Sequence, residues 1–146
     1  EMARLLIDVG ADVNALSKTL LTPLHEAVEH NKPRLAELLL ESGADPEISD
    51  NSGNTPLHSA AWHNRPDLAD LLLRHGASTE ARTQGNRTPL MRAGLADNFE
   101  AAAVIARHQA SRARGRAAQR GGEEAGWRQD SVGLLLTAAI IVHVLS

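Results

Sequence analysis

The sequence predicts an all-α solenoid, in which short two-helix units stack one after another and hairpin-like turns project from one edge. Three phrases recur along the chain, each at a spacing of 33 residues. Thr-Pro-Leu begins at Thr22, Thr55 and Thr88, Gly-Ala begins at Gly10, Gly43 and Gly76, and an apolar triplet begins at Leu5, Leu38 and Leu71. Three separate phrases that keep one period predict a repeat protein, because each unit can bury its apolar face only against its neighbours.

The first helix of each unit is predicted to begin at the Thr-Pro pair. A Thr side chain at the N-cap accepts a hydrogen bond from the helix backbone, and Pro at the next position has a preset φ and no N–H to leave unpaired. Leu57, Ala60 and Ala61 then show the apolar spacing of a helix. Asn31 and Asn64 mark the end of this helix, since Asn tolerates a left-handed φ better than most residues.

The second helix of each unit is predicted to begin at Pro33 or Pro66, because Pro is accepted in the first turn of a helix. It continues through the Leu triplet and ends at Gly43 or Gly76, the residue type that favours a left-handed C-terminal cap. The residues that follow, such as 44–54, are rich in Asp, Asn, Ser and Gly and predict an extended turn. Each unit is therefore a helix, a tight turn, a second helix and a long turn.

This order of elements and the 33-residue period resemble the ankyrin repeat, over residues 1 to about 110. The resemblance implies the second half of one unit, followed by three units that start near positions 20, 53 and 86. Because Glu1 falls at the start of a second helix, we expect further repeats to precede it in a longer protein.

The chain departs from the family pattern at several positions. Leu20 and Asn86 stand where the family usually has Gly, and Met91 replaces the third His of the Thr-Pro-Leu-His phrase. Gln109 replaces the capping Gly, and no Thr-Pro pair follows near position 121. We therefore expect the array to end with the third full unit.

Charge and composition exclude several functional classes. Residues 1–98 hold nine Lys and Arg against fourteen Asp and Glu, a net charge of −5, which argues against nucleic acid as a partner. The chain has no Cys, and it has neither a Gly-x-Ser-x-Gly elbow nor a phosphate-binding Gly-rich loop. We therefore expect no catalytic activity, no cofactor and no bound metal.

Two pairs of histidines share one spacing, His25 with His30 and His58 with His63. A metal site is one interpretation, but zinc needs three or four ligands and neither unit supplies a third. The family resemblance implies the other interpretation, in which His25 and His58 tie neighbouring repeats together by hydrogen bonds.

The C-terminal part of the chain breaks the repeat. Residues 107–122 carry five Arg and no acid. They form either a solvated Arg/Gly-rich linker, assigned as 111–131, or a patch for nuclear import or for binding an anionic surface.

Residues 132–146 are hydrophobic, but their apolar run of 14 residues is shorter than the roughly 20 that span a membrane. Three interpretations stay open: a cap on the last repeat, a membrane anchor with the repeats on the cytoplasmic side, and an artefact of the gene sequence.

The resemblance implies a non-catalytic protein–protein interaction module that binds its partner through a concave face and its turn tips. By the family's usual surface, the residues that contact the partner are Lys18, Thr19, Leu21, Glu29, His30, Asn51, Ser52, Asn54, Trp62, His63, Gln84 and Arg87. Trp62 has two interpretations, either as an aromatic anchor for the partner or as a residue that packs against the next repeat.

Two alternative functions stay open beside this one. The repeats can serve as a regulatory or targeting module of a larger catalytic protein, or as an adaptor held in a membrane by residues 132–146. We expect a monomer in the cytoplasm, with membrane association or nuclear import as alternatives, and another protein rather than nucleic acid as the partner. The fold does not identify that partner, because one scaffold serves many functions.

Overall fold

The computed structural model describes residues 2–119, with side-chain burial from residue 4 onward. This part of the chain holds seven α-helices and no strand, which confirms the all-α solenoid. The helices are α1 (Met2–Asp8), α2 (Pro23–Glu29), α3 (Pro33–Glu41), α4 (Pro56–Trp62), α5 (Pro66–Arg74), α6 (Pro89–Leu95) and α7 (Phe99–Gln119). The first helices of the units are α2, α4 and α6, and the second helices are α1, α3, α5 and α7.

The units stack through both of their helices. Within a unit, α2 packs against α3 and α4 against α5, and between units α2 packs on α4, α4 on α6 and α3 on α5. The buried side chains are mainly Leu and Ala, so neighbouring helices approach closely. The core includes Leu24, Ala27, Val28, Ala36, Leu39, Leu57, Ala60, Ala61, Leu68, Ala69, Leu72, Ala93 and Ile105. Each unit therefore depends on its neighbours to cover its apolar surface.

The first helices begin where the Thr-Pro phrase predicts. The side chain of Thr22 accepts a hydrogen bond from the backbone N–H of His25 at 3.3 Å. The side chain of Thr88 accepts one from the backbone N–H of Met91, also at 3.3 Å. Thr55 occupies the equivalent position before α4. The repeated phrase therefore recurs because each layer of the stack starts its first helix in the same way.

Backbone corners with positive φ separate the helices. Within units they lie at Asn31 (52°), Asn64 (50°) and Asp97 (56°), and after second helices they lie at Gly10 (93°), Gly43 (94°) and Gly76 (90°). Asn and Asp tolerate this conformation through their short polar side chains, and Gly adopts it without steric cost. The Asn and Gly positions predicted to end the helices are confirmed, and Asp97 takes the place of Asn in the third unit.

The long turns are tied to one another by side chains at one repeat position. The Oδ1 atom of Asn14 accepts a hydrogen bond from the backbone N–H of Asp45 at 2.8 Å. At the equivalent position of the next unit, the Oε1 atom of Glu47 accepts one from the backbone N–H of Ser78 at 2.6 Å. Each bond joins one unit to the following unit, which fixes the spacing of the stack on this side.

The last helix, α7, is longer than the repeat pattern predicts. Its first turns belong to the compact unit Glu1–Ile105, and the helix continues to Gln119. Residues 111–119, the first part of the assigned linker, are therefore helical, because Ala, Arg and Gln favour a helix and outweigh a single Gly115. The rest of the linker and residues 132–146 lie outside the described residues. Within residues 2–119, no helix is long and apolar enough to cross a bilayer.

Candidate interaction surface

The turn tips are tight hairpins that close on themselves in the same way in each unit. The backbone N–H of Ser17 donates to the carbonyl oxygen of Leu21 at 2.9 Å, and the N–H of Asp50 donates to that of Asn54 at 2.9 Å. In the third hairpin, Thr83 N–H donates to the Arg87 carbonyl at 3.0 Å. These bonds hold residues 18–20, 51–53 and 84–86 at the ends of the hairpins.

Backbone hydrogen bonds join the three tips into one ladder. The N–H of Asn51 donates to the carbonyl oxygen of Thr19 at 3.4 Å, and the N–H of Gln84 donates to that of Ser52 at 3.0 Å. The side-chain amide of Gln84 also donates to the carbonyl oxygen of Asn51 at 2.8 Å. The structure therefore places four of the predicted contact residues next to one another along this ladder. They are Thr19, Asn51, Ser52 and Gln84.

One residue in each tip has a left-handed backbone conformation. These residues are Leu20 (φ 62°), Gly53 (81°) and Asn86 (58°). A Cβ atom built on Gly53 would lie 2.8 Å from the backbone nitrogen of Gln84 in the next tip, so Gly leaves room for that tip to approach. Leu20 does carry a Cβ at the equivalent position, and the ladder bond beside it is the longer of the two.

The middle tip is held by the carboxylate of Asp50. Its Oδ1 atom accepts hydrogen bonds from the backbone N–H groups of Ser52 at 2.8 Å and Asn54 at 2.9 Å, and its Oδ2 atom accepts one from the side-chain amide of Asn54 at 3.1 Å. Partial burial acts to raise the pKa of the Asp50 carboxyl, but these hydrogen bonds outweigh it and lower the pKa below its ordinary value. Asn54 is therefore a half-buried part of the hairpin's own structure.

His25 and His58 tie neighbouring units, as the family resemblance implies. Both side chains are buried. The Nε2–H group of His25 donates to the carbonyl oxygen of Asn54 at 2.9 Å, and that of His58 donates to the carbonyl oxygen of Arg87 at 2.9 Å. In the part of the chain that the structure describes, no group of three or more His, Asp and Glu side chains is placed to hold a metal ion.

Burial lowers the pKa of the His58 imidazole below its ordinary value. Its hydrogen bond to the Arg87 carbonyl acts in the opposite direction, and the positive charge of Arg92 adds to the lowering. The Nδ1 atom of His58 accepts a hydrogen bond from the backbone N–H of Thr55 at 3.1 Å. The hydroxyl oxygen of Thr55 also lies 3.0 Å from Nδ1, and a second proton on the ring would end the bond from the Thr55 backbone N–H.

The first helices present one row of side chains to solvent, which we call the first-helix face. It consists of Glu26, Glu29, His30, Trp62, His63, Arg92 and Leu95. On α2, the carboxylate of Glu26 lies 3.3 Å from the Nε2 atom of His30. Residues three and four apart share one side of a helix, so the face follows the repeat positions of Glu26 and Glu29, although Ser59, the α4 equivalent of Glu26, is buried.

Trp62 packs against the next repeat, which is one of the two roles that its sequence position suggested. The guanidinium carbon of Arg92, on the next unit, lies 4.4 Å from the centroid of the indole ring, which is a cation–π contact. The side-chain amide of Asn98 donates to the Trp62 carbonyl oxygen at 2.6 Å. Nevertheless 43% of Trp62 stays exposed. The ring is thus held by the next repeat and still open to a partner.

The sequence interpretation missed three residues of this face, Glu26, Arg92 and Leu95, and Arg92 is the one that contacts Trp62. A signal for it was present, because Arg92 lies 33 residues after Ser59 and Ser59 precedes Trp62 by three positions on α4. The stacking of α4 on α6 therefore places Arg92 beside the ring. The Nε atom of Arg92 is buried and has no hydrogen-bond partner among the described residues.

The twelve residues predicted to contact a partner separate into two groups. The exposed ones are Lys18, Thr19, His30, Asn51, Ser52, Trp62, His63, Gln84 and Arg87. The half-buried ones are Leu21, Glu29 and Asn54. The exposed group lies on two features, the ladder of turn tips and the first-helix face.

Comparison with known families agrees with this geometry. A family model described as ankyrin repeats (3 copies) matches residues 1–83 and again residues 42–116. No curated protein matches the chain significantly. Repeats of this kind are generally protein–protein interaction modules. With matched helices, corners and unit spacing across residues 1–116, the chain belongs to the ankyrin-repeat family.

Proposed function

We propose that this chain is a non-catalytic module that binds another protein through a concave surface formed by the first-helix face and the ladder of turn tips. The observation that carries the proposal is Trp62, which stays 43% exposed although it is the largest side chain of the face. A large aromatic side chain that is fixed in place and open to solvent is typical of the residues that dominate binding energy in protein interfaces.

The rigidity of this surface supports the same function. Thr19, Asn51, Ser52 and Gln84 are held by backbone bonds between neighbouring tips, and Trp62 is held under the guanidinium of Arg92. A surface that is already ordered loses little conformational entropy when a partner binds. The exposed polar groups of the tips then supply hydrogen bonds around the aromatic centre, as in the polar rim of an interface.

Site-specific photo-crosslinking in a cell extract tests which face binds. In one variant His63, exposed at the end of α4, is replaced by p-benzoylphenylalanine; in a matched control Glu37, exposed on α3, is replaced in the same way. We expect a discrete crosslinked protein from position 63 and none of that mass from position 37. Crosslinks from position 37 alone, or equal yields from both positions, would contradict the proposal.

A further inference from the structure

The part of α7 that follows the repeats carries positive charge only. This part, residues 106–119, which we call the Arg segment, contains no Asp or Glu and holds Arg107, Arg112, Arg114 and Arg116. All four Arg side chains are exposed. Residues 1–98, by contrast, hold nine Lys and Arg against fourteen Asp and Glu. The Arg segment is therefore a cationic helix in a chain whose repeats are acidic.

The guanidinium groups of the Arg segment have no anionic partner among the described residues. The ion pairs in this part of the chain join Glu26 with His30 and Asp70 with Arg74. None of the four Arg side chains of the Arg segment makes an ion pair or a hydrogen bond within residues 2–119. Four like charges within about 14 Å of helix repel one another. An anion from outside the chain would relieve this repulsion.

The four Arg residues are divided between two sides of the helix. An α-helix has about 3.6 residues per turn, so Arg107 and Arg114, which are seven residues apart, share one side. Arg112 and Arg116, four residues apart, share the nearly opposite side. Most of the residues between them are Ala, Ser or Gly, whose short side chains leave the guanidinium groups furthest from the helix axis. Either side of the helix therefore presents two cations to a broad anionic surface.

The sequence that follows the Arg segment favours lipid as that surface. After 12 residues, which include Trp127, the chain reaches the apolar run 132–145. Four or more Arg beside an apolar segment are typical of binding to anionic lipid headgroups. An apolar run too short to span a bilayer anchors weakly by itself and gains stable binding from a basic cluster. Nucleic acid fits less well, because residues 107–122 contain no Phe, Trp or Tyr on which bases could stack.

We propose that the Arg segment of α7 binds the headgroups of an anionic phospholipid bilayer. A guanidinium group pairs with a phosphate through two parallel hydrogen bonds and keeps its charge at every physiological pH. Each Arg near an anionic membrane strengthens binding by about fivefold. This inference does not depend on the proposed function, because it concerns residues 106–119 and neither the first-helix face nor the ladder of turn tips.

Co-sedimentation of the full chain with lipid vesicles tests the inference. The vesicles contain phosphatidylcholine alone, or phosphatidylcholine with about 30% phosphatidylserine as the anionic lipid. We expect the chain to bind the anionic vesicles about twentyfold more tightly or better, from two contacting Arg at about fivefold each. Raising the salt concentration from about 0.1 M to about 1 M should weaken this binding, because the shorter Debye length screens exposed charges.

Matched removal of charge identifies the helix that binds lipid. One variant removes the four cations of the Arg segment by Arg107→Gln, Arg112→Gln, Arg114→Gln and Arg116→Gln; Gln favours a helix about as well as Arg does. The control removes four exposed cations of the repeats by Arg4→Gln, Lys32→Gln, Arg34→Gln and Arg74→Gln. Both variants lose the same charge, but only the first should lose the preference for anionic vesicles. Circular dichroism checks that both remain helical.

Several outcomes would overturn the inference. They are equal binding of the full chain to the two kinds of vesicle, no binding to either, an unchanged preference in the variant of the Arg segment, and an equal loss of binding in both variants. Fluorescence anisotropy with a labelled single-stranded RNA examines the other polyanion, and RNA binding without vesicle binding would identify nucleic acid in place of lipid. Crosslinking at position 63 is a separate readout, so the proposed function stands or falls independently of these results.

Discussion

At the scale of single residues, the buried imidazole of His58 links two units through two different atoms. Its Nδ1 atom accepts from the backbone of Thr55 at the start of α4, and its Nε2–H group donates to the carbonyl of Arg87 at the following turn tip. Both bonds need the neutral ring with its proton on Nε2. Protonation of Nδ1 would break the bond from the Thr55 backbone N–H and place a charge in a buried site.

This arrangement predicts that acid destabilises the fold through His58. Because burial lowers the pKa of the folded imidazole, the unfolded chain binds a proton at higher pH than the folded chain does. The contribution of His58 is complete above its ordinary pKa of 6.5 and is lost as the pH falls below that value. The free energy of unfolding, measured in urea from pH 7.5 to 5, should fall with a slope of at most about 1.4 kcal/mol per pH unit from this one proton.

Two substitutions isolate the contribution of His58 to this slope. His58→Gln should lower stability at pH 7.5 but flatten its decline below pH 6.5, since the buried titrating group is gone. His63→Gln removes an exposed imidazole from the end of the same helix, α4, and should leave the decline unchanged. An equally steep decline in His58→Gln and in the unmodified chain would show that other groups cause the acid sensitivity.

Leu20 is a second residue whose backbone conformation leads to a testable prediction about stability. Its φ of 62° is unfavourable for a side chain with a Cβ, and Gly occupies the equivalent position at Gly53. Leu20→Gly should therefore stabilise the protein by about 1 kcal/mol, the usual cost of the left-handed conformation for a non-Gly residue. Thermal unfolding followed by circular dichroism measures this change.

Asn86→Gly is the matched comparison for Leu20, because it changes the equivalent residue of the third tip. Asn tolerates a positive φ, and the Oδ1 atom of Asn86 accepts a hydrogen bond from Arg82 that Gly would lose. This variant should gain little or no stability. A Leu20→Gly protein that melts at or below the temperature of the unmodified chain would contradict the strain assigned to Leu20.

At the scale of elements, each turn tip is stabilised by a side-chain oxygen at its first position. The Oγ atom of Ser17 accepts from the backbone N–H of Leu21 at 3.1 Å, and Asp50 and Thr83 make the equivalent bonds in the other two tips. Ser17, Asp50 and Thr83 are different residue types, but each supplies a side-chain oxygen that accepts the equivalent hydrogen bond. The hairpins are therefore ordered by their own short side chains before any partner binds.

The middle tip should loosen when its carboxylate is removed. Asp50→Ala leaves the N–H groups of Ser52 and Asn54 without their acceptor, and we expect a loss of about 1–3 kcal/mol in the free energy of unfolding. Amide hydrogen exchange should accelerate at Ser52 and Asn54, while the core of α4 keeps its protection. Ser49→Ala, an exposed neighbour, serves as the control and should leave exchange at the tip unchanged.

The rates of amide hydrogen exchange at Ser52 and Asn54 decide whether the order of the middle tip depends on Asp50. If the two amides in Asp50→Ala exchange as slowly as in the Ser49→Ala control, the backbone ladder alone orders this hairpin. In that case the hydrogen bonds of the carboxylate would be dispensable.

Elements differ in how far the sequence predicts them. Thr22, Asn31 and Gly43 each have a local role, a cap or a left-handed corner, so spacing and residue type predicted their helix boundaries correctly. The stacking of Arg92 on Trp62 depends on two side-chain conformations in different units, which the period alone does not specify. Residues 111–119 were assigned to a linker because Gly115 suggested a loose segment, whereas the Ala and Arg around it favour a helix.

At the scale of the whole molecule, the stack converts a repeated sequence into an ordered surface. Buried Leu and Ala on neighbouring helices fix the units, His25 and His58 join each unit to the next, and the bonds between tips align the exposed edge. Repeat stacks of this kind draw their stability from contacts between neighbours. Residues at matching positions are therefore free to differ on the exposed side, and binding specificity can arise there without changing the scaffold.

In the function proposed above, the ring of Trp62, held in place by the next repeat, anchors a partner protein. Isothermal titration of the partner identified by crosslinking at position 63 measures this directly, with Trp62→Ala compared against His75→Ala, an exposed change at the end of α5. We predict that Trp62→Ala weakens binding by about tenfold or more while helicity stays the same, and that His75→Ala binds normally. An unchanged Kd for a folded Trp62→Ala protein would show that Trp62 is not the anchor.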